Sequence, residues 1–281
     1  MTKLWIGFLF AFAFNASAFP LATPEKIKNM NRPATLTPNY NFEGIVALSN
    51  CSGSIIRFEN SKDSDQAMVL TNGHCNEHGM PSPNTFSVNS PSSRSFTVLD
   101  PNAKSLGSVH AAKIMYSTMT GTDVTLYKLS ETYSQILAKF NTHPFTLQSQ
   151  HPAAGISINV ISGYWKSGYT CSIETFVEKL LEDGWQMTDS IRYSRPGCEV
   201  IGGTSGSPVI QAGTRIIVGV NNTINENGEM CTMDNPCEEN SMGNKEAHEG
   251  YGYAQQTYRI YSCLDTNNDI DLARPGCTLF H

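Results

Sequence analysis

Residues 202–209 have the sequence Gly-Gly-Thr-Ser-Gly-Ser-Pro-Val. The glycines on either side of Thr204 and Ser205 can adopt backbone conformations that are closed to other residues, so the chain can turn sharply around one serine. Pro208 lacks a backbone N–H and is followed by two residues that favour a strand. We therefore expect a tight turn that presents Ser205 and continues into a β-strand, with no helix after the serine.

Two further segments precede this turn along the chain. Residues 69–75 are Val-Leu-Thr-Asn-Gly-His-Cys, and residues 121–126 are Gly-Thr-Asp-Val-Thr-Leu. A serine hydroxyl is a poor nucleophile until a neighbouring base takes its proton. Imidazole suits that task, and a buried carboxylate fixes its tautomer. The three segments therefore predict nucleophilic catalysis by His74 as base, Asp123 as orienting group and Ser205 as nucleophile.

The glycine-rich turn also indicates where an anionic intermediate would bind. An oxyanion hole needs backbone N–H groups aimed at one point, with no side chain in the way. The N–H groups of Gly203 and Ser205 are the expected donors. The α/β-hydrolases carry their catalytic serine in a G-x-S-x-G turn, which this sequence does not match because Ser207 stands where the second glycine is needed. That fold also needs a helix after the serine and the chain order Ser, Asp, His.

The remainder of the chain is a series of short strands separated by polar turns, which indicates an all-β protein in two halves. His74 and Asp123 fall in the first half and Ser205 in the second, so a site built from all three requires a cleft between the halves. The predicted strands are rich in β-branched and aromatic residues and lie at residues 44–48, 53–58, 67–71, 85–88, 112–116, 123–127, 156–161, 169–173, 207–210 and 215–220.

The first 40 residues indicate export. Lys3 precedes an apolar run over residues 4–14, and Ala-Ser-Ala at residues 16–18 has the form of a signal-peptidase site. The apolar run is too short to cross a bilayer comfortably. We expect a signal peptide at residues 1–18 and a leader or propeptide at residues 19–40. The product is then secreted, extracellular or periplasmic, and not held in a membrane after cleavage.

Charge and cysteine content limit the partners further. The formal net charge of −6 over 281 residues argues against nucleic acid as a partner. Eight cysteines in an exported chain predict disulfides, although the sequence alone allows 105 pairings. We expect no metal at these cysteines, because no pair has the tight spacing of zinc sites. Proximity in sequence suggests the pairs Cys51–Cys75, Cys171–Cys198, Cys231–Cys237 and Cys263–Cys277.

Four segments resemble the trypsin and chymotrypsin family, and more closely its bacterial secreted members. Residues 51–56, Cys-Ser-Gly-Ser-Ile-Ile, resemble the family's Cys-Gly-Gly-Ser-Leu-Ile, and residues 69–75 resemble its Val-Leu-Thr-Ala-Ala-His-Cys. Residues 123–126 resemble Asp-Ile-Ala-Leu, and residues 203–208 resemble Gly-Asp-Ser-Gly-Gly-Pro. The resemblance extends over about residues 44–224.

The resemblance implies a fold and an activity. It implies an all-β fold of two antiparallel six-stranded β-barrels of chymotrypsin type, with the active site between them. Residues 41–140 would form the N-terminal barrel, and residues 141–281 the C-terminal barrel with a disulfide-tied extension. The implied protein is a monomeric serine endopeptidase that acts on a protein or peptide and needs no cofactor. The family's bridge between the cysteines matching Cys51 and Cys75 supports that pair here.

The sequence departs from the family pattern at Thr204 and at Ser207, which replaces a glycine, and the specificity pocket is a separate question. Thr204 stands where vertebrate zymogens have the aspartate that pairs with a freed N-terminus, so we do not expect that route of activation. Glu199 stands six residues before Ser205, where trypsin-like members carry the aspartate that binds Lys or Arg. It motivates the hypothesis of a basic preference, with a surface glutamate as the alternative. Asn221 and Asn222 belong to the segment that resembles the substrate-binding wall of the pocket.

Other functions remain open from the sequence. The chain could be a catalytically silent binding protein on a protease scaffold, or an esterase with little activity on peptide bonds. Residues 74–78 also match the H-x-x-E-H pattern of zinc proteases, but that pattern needs a helix, and Gly73, Gly79 and Pro81 surround it. Residues 265–271 have oxygen ligands at alternate positions, as calcium loops do, although a disulfide-closed Asp/Asn-rich turn is the favoured interpretation.

Overall fold

Six strands of the first half close into an antiparallel barrel in the computed structural model, which describes residues 40–281. The pairing order is β1-β5-β6-β7-β3-β2, and the barrel closes because β2 also pairs with β1. Strand β4 pairs with β6 and is not part of the closed barrel. The strands are β1 (Ile45–Ala47), β2 (Ser52–Arg57), β3 (Gln66–Thr71), β4 (Phe86–Pro91), β5 (Ser95–Leu99), β6 (Ser105–Thr118) and β7 (Val124–Thr132).

A short helix and a short strand connect the two halves. Helix α1 (Tyr133–Phe140) is capped at its N-terminus by Thr132, whose side chain forms a capping box with Gln135. The helix ends at Asn141, which adopts the left-handed conformation that asparagine tolerates. Strand β8 (Phe145–Leu147) then pairs in parallel with both β2 and the later strand β13 (Ile216–Ile224), so it joins the barrels.

The second half also closes into a six-stranded antiparallel barrel, in the order β13-β12-β9-β10-β11-β16 with β16 returning to β13. The prediction of an all-β fold with two such barrels is therefore confirmed. The strands are β9 (Ser157–Ser162), β10 (Ser167–Glu182), β11 (Trp185–Tyr193), β12 (Pro208–Gln211), β13 (Ile216–Ile224), β14 (Cys237–Glu239), β15 (Lys245–Glu246) and β16 (Gly252–Gln256), of which β14 and β15 lie outside the barrel.

The β10–β11 hairpin reaches from the second barrel to the first. Its turn is Asp183-Gly184, with φ of 40° and 91°, which is the sequence that a two-residue hairpin turn prefers. Next to the turn, the indole Nε1 of Trp185 donates to the carbonyl of Pro81 at 2.9 Å. The backbone N–H of Gly121 donates to the carbonyl of Gln186 at 2.8 Å. The hairpin therefore lies against the loop that leads to Asp123.

The C-terminal segment packs against the first barrel. The segment begins with a 3₁₀ helix (Tyr258–Cys263). Beyond this helix, Asp269 forms an ion pair with Lys128 of β7 at 2.6 Å. Tyr261 contacts Phe58 edge to face, with ring centroids 5.2 Å apart. The extension therefore covers the barrel that carries the histidine.

Four disulfides are present, and they are the four pairs suggested by sequence proximity: Cys51–Cys75, Cys171–Cys198, Cys231–Cys237 and Cys263–Cys277. Among residues 40–281, no helix has the length and apolar character needed to cross a membrane. The predicted signal peptide and all of the predicted leader except its last residue lie outside the described residues.

Candidate active site

Asp123 holds His74 by two hydrogen bonds. The Oδ2 atom of Asp123 lies 2.6 Å from Nδ1 of His74, and Oδ1 accepts the backbone N–H of His74 at 3.0 Å. The Asp123 carboxylate is almost completely buried. Because a carboxylate only accepts, Nδ1 carries the proton, and the basic lone pair of the neutral ring belongs to Nε2.

The electrostatic surroundings favour the protonated form of His74. Burial by itself would lower the pKa of the imidazole, but the charge and hydrogen bond of Asp123 outweigh it, and the charges of Glu182 and Asp234 act in the same direction. The pKa of His74 is therefore raised above its ordinary value. The ring is consequently a stronger base than a free imidazole.

Glu182 is a half-buried residue whose carboxyl is close enough to affect His74. It is the last residue of β10, and its Oε1 accepts from the Thr223 hydroxyl at 3.0 Å and from the backbone N–H of Asp234 at 2.9 Å. Burial raises the pKa of Glu182 to about 7, against the opposing effects of these hydrogen bonds and of His74. Sequence analysis did not single out this residue.

Several groups brace the loop that carries His74. The Cys51–Cys75 disulfide ties the loop to the start of β2. Arg94 donates to the carbonyl of Cys75 and to the side chain of Asn50. Gly73 is required by close approach, because a Cβ there would lie 2.0 Å from the carbonyl oxygen of Thr118.

The turn that carries Ser205 is held by its own backbone. The N–H of Thr204 donates to the carbonyl of Ile201 at 3.0 Å, and the N–H of Ser207 donates to the carbonyl of Thr204 at 3.1 Å. Gly203 and Gly206 have φ of 86° and 78°, as the sequence led us to expect of flanking glycines.

Within residues 203–207, the N–H groups of Gly203 and Ser205 have no acceptor in the described chain, and neither has the N–H of Gly202 just before them. Their neighbours in the turn are satisfied, since Thr204, Gly206 and Ser207 all donate to protein oxygens. An unpaired backbone N–H is costly unless water or a ligand meets it. The Gly203 and Ser205 groups are the ones predicted to hold an oxyanion.

Ser205 is next to the strand predicted to bind substrate. Its hydroxyl donates to the carbonyl of Asn222 at 3.2 Å. The Nδ2 atom of Asn222 is buried and has no hydrogen-bond partner in the described part of the chain. Asn221 has a bracing role instead, because its side chain accepts from the Tyr193 hydroxyl and donates to the Thr204 hydroxyl.

Thr204 is satisfied without a charged partner. Its hydroxyl donates to the carbonyl of Ile201 at 2.6 Å and accepts from Nδ2 of Asn221 at 3.1 Å. The side chain is buried. Neutral hydrogen bonds therefore fill the position for which vertebrate zymogens use an ion pair.

Asn72 joins the segments that carry the three predicted catalytic residues. It is fully buried, and its Nδ2 donates to the carbonyl of Asp123 at 2.9 Å. Its Oδ1 accepts the backbone N–H of Gly206. Sequence analysis did not assign Asn72 a role, although the resembling family motif has alanine at that position.

Residues 51–220 match the family described as the trypsin-like peptidase domain. The chain belongs to this family. Among curated proteins, none matches its sequence.

Several solved bacterial proteases are similar to this chain in fold. The MamO protease domain from Magnetospirillum magneticum is 15% identical, with 80% of this chain and 97% of that one covered and a TM-score of 0.46. Thermobifida fusca protease A is 15% identical over 78% and 91%, with a TM-score of 0.41. The protease Anisep from Arthrobacter nicotinovorans is 15% identical over 83% and 98%, with a TM-score of 0.43.

Glu199, the candidate specificity residue, is exposed. Its carboxylate has no ion pair or hydrogen bond within residues 40–281. The next residue, Val200, is buried, and a Cβ on Gly252 would lie 2.8 Å from Val200 Cγ2 and 3.0 Å from Tyr193 Cδ2. Apolar atoms therefore fill the space beside Gly252.

The cluster of Cys51, His74 and Cys75 is a disulfide beside an imidazole. The three residues place ligand atoms within 4.8 Å of one another, but the two sulfurs are joined and neither is a thiolate. The segment 74–78 forms turns and not the helix that the zinc pattern needs.

The Asp/Asn-rich loop is closed by its own groups. The Oδ1 of Asp265 accepts the N–H groups of Asn267 and Asp269, each at 2.8 Å. The carboxylate of Asp269 pairs with Lys113 at 3.1 Å and with Lys128 at 2.6 Å. A cation in this loop would have to compete with two ammonium groups.

Proposed function

We propose that the protein is a secreted serine endopeptidase that cleaves peptide bonds through His74, Asp123 and Ser205. The observation that carries the proposal is the pair of N–H groups at Gly203 and Ser205, which lack acceptors in the described chain next to the serine hydroxyl. Such donors are what a tetrahedral oxyanion requires.

The reaction begins with transfer of the Ser205 proton. The hydroxyl leaves the carbonyl of Asn222 and donates to Nε2 of His74 as Oγ attacks the scissile carbonyl carbon. The oxyanion that forms accepts the N–H groups of Gly203 and Ser205. Asp123 stabilises the imidazolium.

The tetrahedral intermediate then collapses. His74 returns its proton to the leaving amine, and an ester of Ser205 remains. Water, with His74 again acting as base, hydrolyses this ester and releases the acid product. Each oxyanion donor is worth about 10²–10³-fold in rate.

Export is the second part of the proposal. Four disulfides fit an oxidising compartment, as an extracellular or periplasmic location provides. We propose cleavage after residue 18 and later removal of the leader, giving a monomer that is not held in a membrane. Mass spectrometry of the secreted protein tests this, because a product that keeps residues 1–18 contradicts it.

A preference for Lys or Arg at the cleaved bond remains the hypothesis attached to Glu199. The structure gives this hypothesis no support, since Glu199 is exposed and the buried residue next to it is the apolar Val200. A peptide library decides the matter, because equal cleavage after Lys, Leu and Glu would reject it.

Parallel assays with casein and with a small ester test the catalytic proposal. We expect both substrates to be hydrolysed by the wild type and neither by Ser205→Ala or His74→Ala. Ester hydrolysis without casein hydrolysis would indicate an esterase. Turnover of neither substrate by a folded, leader-free protein would indicate a catalytically silent binding protein.

A further inference from the structure

Trp165 contacts the peptide unit that supplies the Gly203 N–H, one of the two donors expected to hold the oxyanion. It lies in the turn between β9 and β10, and its indole Nε1 donates to the carbonyl of Gly202 at 2.9 Å. The contact is close, because a Cβ on Gly203 would lie 2.8 Å from the same Nε1 atom. The indole therefore packs directly on the Gly202–Gly203 peptide.

Because this peptide is planar, the contact with Trp165 also fixes the direction of the Gly203 N–H. In a trans peptide, the C=O and the following N–H point in opposite directions. Since the carbonyl of Gly202 points to Trp165, the N–H of Gly203 points away from it. That N–H has no acceptor within residues 40–281.

The opposite orientation of the peptide is sterically accessible. Both residues are glycines, which reach left-handed and right-handed regions with similar ease. Rotation of the peptide would place the Gly202 carbonyl where the N–H now lies, and a carbonyl oxygen repels an oxyanion. It would also place the N–H of Gly203 against the indole N–H, two donors with no acceptor between them.

The position of Trp165 is itself fixed. Its backbone N–H donates to the Ser162 hydroxyl at 3.2 Å, and its ring meets Tyr164 edge to face, with centroids 4.9 Å apart. The Ser162 hydroxyl also lies 3.0 Å from that of Ser52, whose backbone N–H donates to the carbonyl of Ser205 at 2.8 Å. The backbone of Trp165 is therefore linked through Ser162 and Ser52 to the serine turn, and the indole adds a second, exposed hydrogen bond to that turn.

We propose that Trp165 is a positioning residue that holds the Gly202–Gly203 peptide in the orientation required for the oxyanion hole. The inference rests on the proposed endopeptidase function for its kinetic consequence. Trp165 does not touch the reacting atoms, since it acts through the carbonyl of Gly202. The hydrogen bond selects the orientation with a donor in the hole over the orientation with an acceptor there.

Trp165→Phe is the decisive variant, because it removes the donor and keeps an aromatic ring. We expect kcat on a peptide substrate to fall at least tenfold while KM changes less than twofold, because the lost interaction belongs to the transition state. A peptide aldehyde, which forms a tetrahedral adduct with a serine, should bind more weakly by a similar factor. Tyr164→Phe keeps the indole donor and serves as the matched control, with kcat close to that of the wild type.

Crystal structures of the wild type and Trp165→Phe separate this inference from the proposed function. We expect the Gly202 carbonyl of the variant to occupy the rotated orientation, wholly or in part. A single unrotated orientation in the variant, or an unchanged kcat, would overturn the inference. A wild type that hydrolyses no peptide would overturn the proposed function instead, and the peptide orientation in the variant would still decide the role of Trp165.

Discussion

The side-chain oxygen of Asn72 accepts a hydrogen bond from the backbone N–H of Gly206. The same side chain donates to the carbonyl of Asp123, so one buried amide connects the carboxylate loop of the first barrel with the serine turn of the second. His74 is only two residues further along the chain. The relative placement of the three predicted catalytic residues therefore depends on a residue that takes no part in the chemistry.

Asn72→Ala tests this dependence. Loss of the amide leaves the buried Asp123 carbonyl without this donor, and we expect unfolding free energy to fall by about 1–3 kcal/mol. Misplacement of the serine turn should lower kcat/KM by roughly 10²-fold. Tyr133→Phe is the control, because it removes a buried hydrogen bond to the carbonyl of Ile56 on the far side of the barrel. A similar loss of activity in both variants would contradict the joining role.

Asp123→Asn should separate the electrostatic role of the carboxylate from its shape. Without the negative charge, the pKa of His74 falls, because Asp123 is the main group that raises it against burial. We expect kcat to drop on the order of 10⁴-fold. NMR titration of the imidazole measures the first effect. An unchanged imidazole pKa would show that Asp123 does not control the base.

Glu182→Gln should change the pH dependence of activity. Ionised Glu182 favours the imidazolium form of His74, so the neutral amide lowers the pKa of His74. The acid limb of kcat/KM follows the free base and should move to lower pH in the variant. Glu178→Gln, an exposed change on the same strand, should leave the limb in place. If the acid limb lies at the same pH in the wild type and in both variants, Glu182 does not affect the titration of His74.

The same carboxyl should also make stability depend on pH. Its pKa is about 7 in the folded protein, above the ordinary glutamate value of 4.5, so the folded state binds more protons between those values. Folding stability contributed by Glu182 is therefore present at low pH and lost as the pH rises through about 7. Urea unfolding at pH 5 and pH 8 should show a larger loss for the wild type than for Glu182→Gln.

Two glycines with similar backbone angles should respond differently to alanine. Gly206 and Gly213 have φ of 78° and 76°. A Cβ on Gly206 would lie 2.1 Å from the Ser52 carbonyl oxygen, whereas nothing lies within 4 Å of one on Gly213. We expect Gly213→Ala to cost about 1–2 kcal/mol of stability for its conformation alone. Gly206→Ala should cost more and abolish activity; equal losses in thermal unfolding would contradict the steric argument.

Much of the fold could be predicted because it is encoded locally. The strands predicted at residues 85–88 and 112–116 overlap β4 and β6, where turn residues bound short apolar runs, although β4 continues to Pro91 and β6 begins earlier, at Ser105. The segment from Phe176 to Leu181 is ambiguous in sequence, with some helical character. It is part of β10, because Phe176 and Leu180 pair with Ile191 and Met187 on β11. Such pairing depends on a partner that no local pattern identifies.

Of the residues at the site, only those with a proposed role in the reaction could be identified from the sequence. His74 and Asp123 could be named from their motifs, and their hydrogen bonds are present. Glu182 could not, because its burial depends on the distant Thr223 and Asp234. Asn72 offered a usable signal, since a buried motif with an amide in place of alanine implies a hydrogen-bond partner.

Reaction with a fluorophosphonate tests the central claim most directly, because the reagent forms a covalent adduct with an activated serine. Mass spectrometry of the secreted, folded protein should find one adduct, located on the tryptic peptide that contains Ser205. Ser205→Ala should remain unlabelled while keeping the wild-type unfolding midpoint. An unlabelled wild type, or an adduct on any other residue, would contradict the account.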